Sequence, residues 1–268
     1  MKKKRLIPVV LLKNGFLVQS KSFRRYQNLG NPITSVKRLS EWASDELVYL
    51  DISKDENYDM RRDDIKHPNR SGILDIIEDV SKVTFMPITF GGKIRTLEDI
   101  EMRLSRGADK ISLNTAPFEN SKFISEAAKE FGSQCIVISV DAKKTETGYS
   151  VFSNGGKVDR NISPSEWAKI CESEGAGEIL INSIDRDGMK NGYDIEMIDS
   201  VASSVKLPVI ALGGVGEWNH FAEALSKTNV DAVAAANIFQ YMDQSVYLAK
   251  KYLYENNFNV RKPDLLLI

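Results

Sequence analysis

Pro87-Ile88-Thr89-Phe90-Gly91-Gly92-Lys93-Ile94 returns, little changed, as Pro208-Val209-Ile210-Ala211-Leu212-Gly213-Gly214-Val215. Each copy opens on a proline, runs through apolar and β-branched residues and stops at a glycine pair, which reads as a buried strand ending in a tight turn. A helical pattern and another strand follow in both cases, and Gly91 to Gly107 is the same distance, sixteen residues, as Gly213 to Asn229. Earlier landmarks match too: Leu50-Asp51 corresponds to Ile181-Asn182, and Leu11, closing the first apolar run, corresponds to Asp141, closing the fifth. A repeat this long predicts two copies of one four-unit module.

Outward from that repeat, strand-like runs at 5–12, 47–52, 85–90, 110–113, 135–140, 178–183, 208–212 and 232–236 alternate with helical patterns at 33–44, 71–82, 97–106, 119–131, 164–174, 194–204, 217–227 and 242–255. Such alternation predicts parallel strands with crossover helices, and eight pairs predict one domain over 1–268, an α/β (β/α)8 TIM barrel with duplicated (β/α)4 halves. A doubly wound open sheet is the alternative, but it usually carries a single glycine-rich phosphate turn. Two connections are long. The insertion after the second strand, 53–70, reads SKDENYDMRRDDIKHPNR and is expected either to overhang the strand ends or to be a solvated flap. The excursion at 143–164 contains Tyr149-Ser150-Val151-Phe152 and Lys157-Val158 around Asn154-Gly155-Gly156, a hairpin signal.

Composition narrows the function classes. With 36 Lys plus Arg against 37 Asp plus Glu in 268 residues, the net charge of −1 gives no electrostatic footprint for nucleic acid. Hydrophobic residues at 42% and charged ones at 27% describe an ordinary globular chain. No apolar run approaches the roughly 18 residues of a membrane span, and the basic start leads into a run broken by Pro8, a strand rather than a signal segment. Cys135 and Cys171 lack CxxC spacing, which excludes a disulfide scaffold and fits a reducing cytoplasm. His67 and His220 are the only histidines, so a histidine-rich metal centre is excluded, and catalysis would use other groups; no cofactor is expected.

Function in a barrel of this kind sits where strands end. Gly213-Gly214 before a helix, with Ala236-Asn237 after the last strand, would aim backbone N–H groups at an anion, and the repeat predicts a second such place at Gly91-Gly92-Lys93 and Asn114-Thr115. A ligand carrying two phosphates would span both. Tight turning alone is the plainer account of each glycine pair. Asp51, Asn182, Asp187 and Gly188 also fall at strand ends. Asp141 closes the run Cys-Ile-Val-Ile-Ser-Val, so its carboxylate would emerge beside apolar walls, where desolvation raises a carboxyl pKa toward the range useful for proton transfer. The alternatives are a loop-capping Asp141 beside Lys143 or Lys144, and an Asp187-Gly188 turn paired with Arg186.

These residues carry a resemblance. Asp45-Glu46-Leu47-Val48-Tyr49-Leu50-Asp51-Ile52, Arg106-Gly107-Ala108-Asp109-Lys110-Ile111-Ser112-Leu113-Asn114-Thr115-Ala116, Val140-Asp141-Ala142-Lys143 and Ser183-Ile184-Asp185-Arg186-Asp187-Gly188 resemble the cyclase subunit of imidazole glycerol phosphate synthase, the HisF-like family, as do Phe131-Gly132-Ser133-Gln134 and Gly175-Ala176-Gly177-Glu178. The resemblance covers essentially the whole chain. It implies a barrel that takes ammonia from a glutaminase docked on its lower face and uses it at the upper face on a two-phosphate ribonucleotide, with two aspartates as acid and base. The second aspartate matches Asp141; the first falls at Leu11, which cannot exchange a proton. Gln19, Lys93, Asn182 and Leu212 also depart, standing where the family has lysine, glycine, threonine and serine.

On the lower face, Arg5, Glu46, Lys110 and Glu178 match the family's charged ring that gates ammonia, and Asp109 and Gln134 match its partner-facing surface. The resemblance therefore implies a retained inlet and an altered mouth. One reading is a divergent copy of the kind found in bacterial surface-polysaccharide gene clusters, supplying ammonia to a separate N-sugar amidotransferase that turns an acetamido group into an acetamidino group. A second is an authentic histidine-pathway cyclase in which Asp141 alone, or a recruited Asp51, carries the chemistry. A third is a non-catalytic scaffold that activates a glutaminase.

Overall fold

The first apolar run becomes β1 (Arg5–Lys13), and Asn14-Gly15, with φ of 51° and 78°, turns it directly into β2 (Phe16–Lys21). A second left-handed pair, Ser22-Phe23, begins the turn into β3 (Arg25–Gly30). The computed structural model describes residues 2–54, 57–58, 70–241 and 243–265, so most of the charged insertion expected at 53–70 lies outside the described residues. From β3 the chain runs α1 (Pro32–Glu41), β4 (Leu47–Asp51), α2 (Ile73–Ser81), β5 (Ile88–Gly91), α3 (Leu97–Leu104), β6 (Lys110–Leu113), α4 (Ala116–Glu119) and α5 (Phe123–Phe131). The second half holds β7 (Ile136–Thr145), β8 (Gly148–Ser153), β9 (Val158–Asp159), α6 (Pro164–Ser173), β10 (Glu178–Ser183), α7 (Ile195–Ala202), β11 (Val209–Leu212), α8 (Trp218–Lys227), β12 (Ala232–Ala235) and α9 (Ser245–Glu255).

Eight of these strands close a parallel ring in the order β1, β4, β5, β6, β7, β10, β11, β12 and back to β1. That is the (β/α)8 barrel expected from the repeat. Helix faces follow the 3.6-residue period: Ile73, Ile76, Ile77 and Val80 of α2 are buried against the sheet. Reciprocal caps, Thr96 with Asp99 and Ser163 with Glu166, set where α3 and α6 begin. Pleating sends alternate strand residues to two cores, an outer one under the helices and an inner one of Ile7, Val9, Val48, Val137, Leu180, Ile210, Leu212, Ala232 and Ala234.

Four details differ from the sequence reading or add to it. The region between the first strand and the first helix holds two further strands: Asn14-Gly15 turns β1 into β2, and β2 pairs with an outer strand, β3, that is largely exposed and shows no alternation. The run at 85–90 begins as a strand only at Ile88, leaving Phe85 in the connection and 70% exposed. The excursion after β7 is a three-stranded meander, because β7 itself runs on to Thr145 and pairs with β8 before the expected turn at Asn154-Gly155-Gly156 leads to β9. The helix expected at 119–131 is split by Asn120 into α4 and α5.

The lower end is tied off by a buried lysine. Lys250 of α9 is fully buried, and its Nζ donates to Ala43 O at 2.7 Å and to Asp45 Oδ1 at 2.5 Å. Asp45 Oδ2 accepts the Leu6 N–H, and Arg261 adds a bond to Asp45 Oδ1 at 3.2 Å, so the last helix and the tail are fastened to the start of the barrel.

Candidate functional site

Inward-facing residues form vertical files from the lower to the upper end of the barrel. On β1 the file is Arg5, Ile7, Val9 and Leu11; on β6 with the residue after it, Lys110, Ser112 and Asn114; on β7, Val137, Ser139 and Asp141; on β10, Glu178, Leu180 and Asn182. The upper end is consequently two-sided. Leu11, Leu50 and Ala236 pack onto the inner core together with Leu212, while Asn114, Asp141 and Asn182 group on neighbouring strands opposite.

Asp141 is the centre of the polar side. Its Oδ1 accepts from Asn182 Nδ2 at 2.9 Å and its Oδ2 from Asn114 Nδ2 at 3.2 Å. Burial pushes its carboxyl up to about 6, the Asn182 bond opposes that shift, and Asp187 adds to it. Neither lysine after it is a partner: Lys143 lies over the Phe152 ring and the Lys144 N–H donates to Asp185. Asn114 is fully engaged, since its amide also donates to Ser139 O at 2.9 Å and its Oδ1 accepts from Thr115. Asn182 keeps a buried Oδ1 with no hydrogen-bond partner among the described residues.

The remaining expected residues fall into two groups around this centre. In the first half, Gly92 has φ +102° and a Cβ there would stand 2.1 Å from Asp51 O; in the second, Gly214 has φ +103° and a Cβ would stand 2.1 Å from Gly192 O. Both positions therefore demand glycine for the same reason, a close backbone approach in a left-handed turn. Gly91 and Gly213 precede them at the strand ends, and Thr115 Oγ1 accepts the Asn154 N–H, so the tip of the meander rests on the first group. Lys93 carries φ +54° and places Nζ 3.6 Å from Asp51 Oδ2 and 5.4 Å from the Tyr58 ring.

Asp51 departs from the expected position at the mouth. It shares the outward side of β4 with Tyr49 and binds Ser53 N–H at 2.9 Å, Ser53 Oγ at 2.5 Å and Tyr58 OH at 2.9 Å. Burial, then the Asp51 charge, raise the Tyr58 hydroxyl far above the usual range, so it stays a donor. Asp187 does not pair with Arg186, whose guanidinium donates to Asn191 O. Its Oδ2 accepts from Ser20 Oγ at 2.6 Å and from the Phe23 N–H at 3.2 Å, while Asn237 Nδ2 donates to Ser20 O at 2.8 Å. A Cβ on Gly188 would meet Ser20 O at 2.4 Å. The β2–β3 hairpin thus lies across Asp187, Gly188 and Asn237. Sequence reading missed Ser20, Phe23 and Tyr58 because each is useful only through a contact distant in the chain.

At the lower end the four expected charges form a closed ring. Arg5 donates to Glu46 at 2.6 Å and to Glu178 at 2.5 Å, and Lys110 Nζ lies 3.0 Å from the other oxygen of each. Burial opposes ionisation of Arg5, Glu46 and Lys110, but Arg5 and Lys110 hold the Glu46 carboxyl below its usual value, and the two glutamates raise Lys110. The ring closes the inner core from below with alternating charge.

Sequence comparison agrees with this architecture. The chain matches the family described as Histidine biosynthesis protein over residues 5–245. It belongs to that family. Among its relatives, imidazole glycerol phosphate synthase subunit HisF of Hydrogenobaculum sp. (strain Y04AAS1) is 42% identical over 259 residues, covering 96% of this chain and 98% of the relative. The HisF subunits of Campylobacter concisus (strain 13826) and Bacillus cereus (strain G9842) are 41% and 40% identical, each over 96% of this chain and 98% of theirs. At the mouth of this chain Leu11 presents a hydrocarbon, packed on the inner core with Leu50 and Ala236. Among the described residues no helix is long and apolar enough to cross a membrane, and no group of His, Cys, Asp and Glu could hold a metal ion.

Proposed function

We propose that the chain is the ammonia-receiving barrel of a glutamine-dependent complex of the imidazole glycerol phosphate synthase type. A HisH-type glutaminase docks on the face where the barrel strands begin, ammonia enters through the Arg5, Glu46, Lys110 and Glu178 ring, and it travels past Ser112 and Ser139 to the mouth. The observation that carries this reading is the ring: four alternating charges held at 2.5 to 3.0 Å around the axis make a plug that a partner can open by competing for any one of them. Names of the relatives, each a subunit, support it.

At the mouth a phosphorylated ligand binds along the glycine turns Gly91-Gly92 and Gly213-Gly214, with Thr115 and Ala236 between them. Asp141 is the proton-transfer group. A carboxyl near 6 releases and takes up a proton near neutrality, which suits general acid–base work. The leading reading is the cyclase reaction of histidine biosynthesis, run with Asp141 alone. Leu11 favours a second reading, because a barrel that only delivers ammonia to a separate N-sugar amidotransferase has no use for an acid opposite Asp141.

The test supplies the two-phosphate ribonucleotide with ammonium chloride, and separately adds a HisH-type glutaminase with glutamine. Imidazole glycerol phosphate formation supports the cyclase reading. Stimulated glutamine hydrolysis without that product supports the second. Absence of both results overturns the proposal.

A further inference from the structure

We infer that Asn182 is the seat for ammonia at the top of the barrel, its carbonyl oxygen accepting an ammonia N–H while its amide group holds Asp141. This inference rests on the proposed ammonia route. Asn182 is 6% exposed, and its Oδ1 is a buried acceptor with no partner among the described residues. A buried carbonyl left unpaired keeps its desolvation penalty uncompensated, so the position favours an arriving N–H donor. The amide orientation is fixed by Asp141, whose carboxylate oxygen requires the NH2 group at 2.9 Å and so turns Oδ1 away from it.

Position selects the donor. Asn182 tops the file that starts at Glu178 in the charged ring and continues through Leu180 in the inner core. A molecule leaving that side-chain-filled core is small, and Asn182 is the first polar group of its file above the charged ring. The other carboxamide on Asp141, Asn114, has both ends engaged and offers no equivalent site. A neutral amide oxygen also suits the chemistry: it orients ammonia without the negative charge that would favour protonated ammonium, leaving the nitrogen lone pair free to attack.

The experiment follows the Asn side-chain amide signals of the 15N-labelled chain at pH 9 during titration with ammonium chloride, against sodium chloride at equal ionic strength. The Asn182 signal is assigned by its loss in Asn182→Leu, or in Asn182→Thr should the leucine variant not fold. A saturable shift of the Asn182 signal with ammonium chloride alone is expected, with Asn114 moving less; no saturable shift up to molar concentration overturns the inference. In turnover, Asn182→Leu should raise the KM for ammonium about tenfold and leave that for the phosphorylated ligand unchanged, with Asn182→Thr partly restoring it. Equal changes in both KM values overturn the inference. An intact ammonium shift in a chain that neither turns over nor stimulates a glutaminase counts against the proposed function and leaves the ammonia seat standing.

Discussion

Leu11 stands diametrically opposite Asp141: their strands, β1 and β7, lie four places apart in a closed ring of eight, and both side chains face inward at the upper end. A hydrocarbon therefore occupies the wall facing the buried carboxylate. Leu50 and Ala236 extend that apolar wall on the strands flanking β1, and Asp51, the acid nearest in sequence to Leu50, is turned outward into bonds with Ser53 and Tyr58. Within the described inner files, Asp141 is the acid of the upper end.

Its burial gives a stability prediction with a definite sign. The carboxyl titrates near 3.8 when unfolded and is pushed up to about 6 in the fold, so between those values the folded chain binds more protons. Stability from this group is present at low pH and is lost as pH rises through about 6. Asp141→Asn removes the penalty and should stabilise the protein by on the order of 2 kcal/mol at pH 8 and little at pH 4. Calorimetric melting at the two pH values checks it; a lower melting temperature for the variant at pH 8 contradicts it.

Breaking the lower ring should cost more than an ordinary surface pair. Arg5→Ala leaves Glu46 and Glu178, which are 11% and 6% exposed at their side chains, without one of their two cations. The expected loss is about 2–3 kcal/mol, reduced from the fully buried case because Arg5 is itself 22% exposed. Urea unfolding measures it. With a glutaminase present, the same variant should also release free ammonia into solution.

The buried Lys250 predicts a different response. Lys250→Ala leaves Asp45 with only Arg261 and the Leu6 N–H and opens a cavity under α9, so a loss of about 3–5 kcal/mol is expected. Lys250→Met fills the space without the charge and should recover part of that loss. Unfolding midpoints of the two variants, compared at pH 7, give the answer.

Phe85 offers a check on the docking face. It is 70% exposed in the connection before β5, at the same end as Arg5 and Lys110. Phe85→Ser should leave stability within about 0.5 kcal/mol and weaken binding of a HisH-type glutaminase about thirtyfold, the behaviour of an aromatic anchor in an interface. Titration calorimetry with the partner measures it, and unchanged affinity removes Phe85 from the interface.

How much of this was legible in the sequence differs by kind of contact. The barrel strands were readable because burial on both faces makes each an uninterrupted apolar run, and the repeat of Gly91-Gly92 at Gly213-Gly214 counted the halves. Asp141 was readable because it closes a strand, and the charged ring through the resemblance, which picked out Arg5, Glu46, Lys110 and Glu178 at strand starts. The β2–β3 hairpin was not, since β3 packs little and alternates nothing. The burial of Lys250 follows only from the tertiary contact of α9 with Asp45, and the outward turn of Asp51 depends on Tyr58, inside an insertion whose charge gave no sign of a buried anchor. Asn182 was expected at the mouth, but its unpaired oxygen follows only from the direction of its bond to Asp141.

The most direct measurement compares ammonia-dependent formation of imidazole glycerol phosphate by the natural chain and by Leu11→Asp, both saturated with ammonium chloride and ribonucleotide. A carboxyl at position 11 would face Asp141 across the mouth and supply the second proton-transfer group. The account predicts a slow natural chain and a gain of roughly 10²-fold or more in the variant. A natural chain that turns over as fast as Leu11→Asp, or faster, would contradict it.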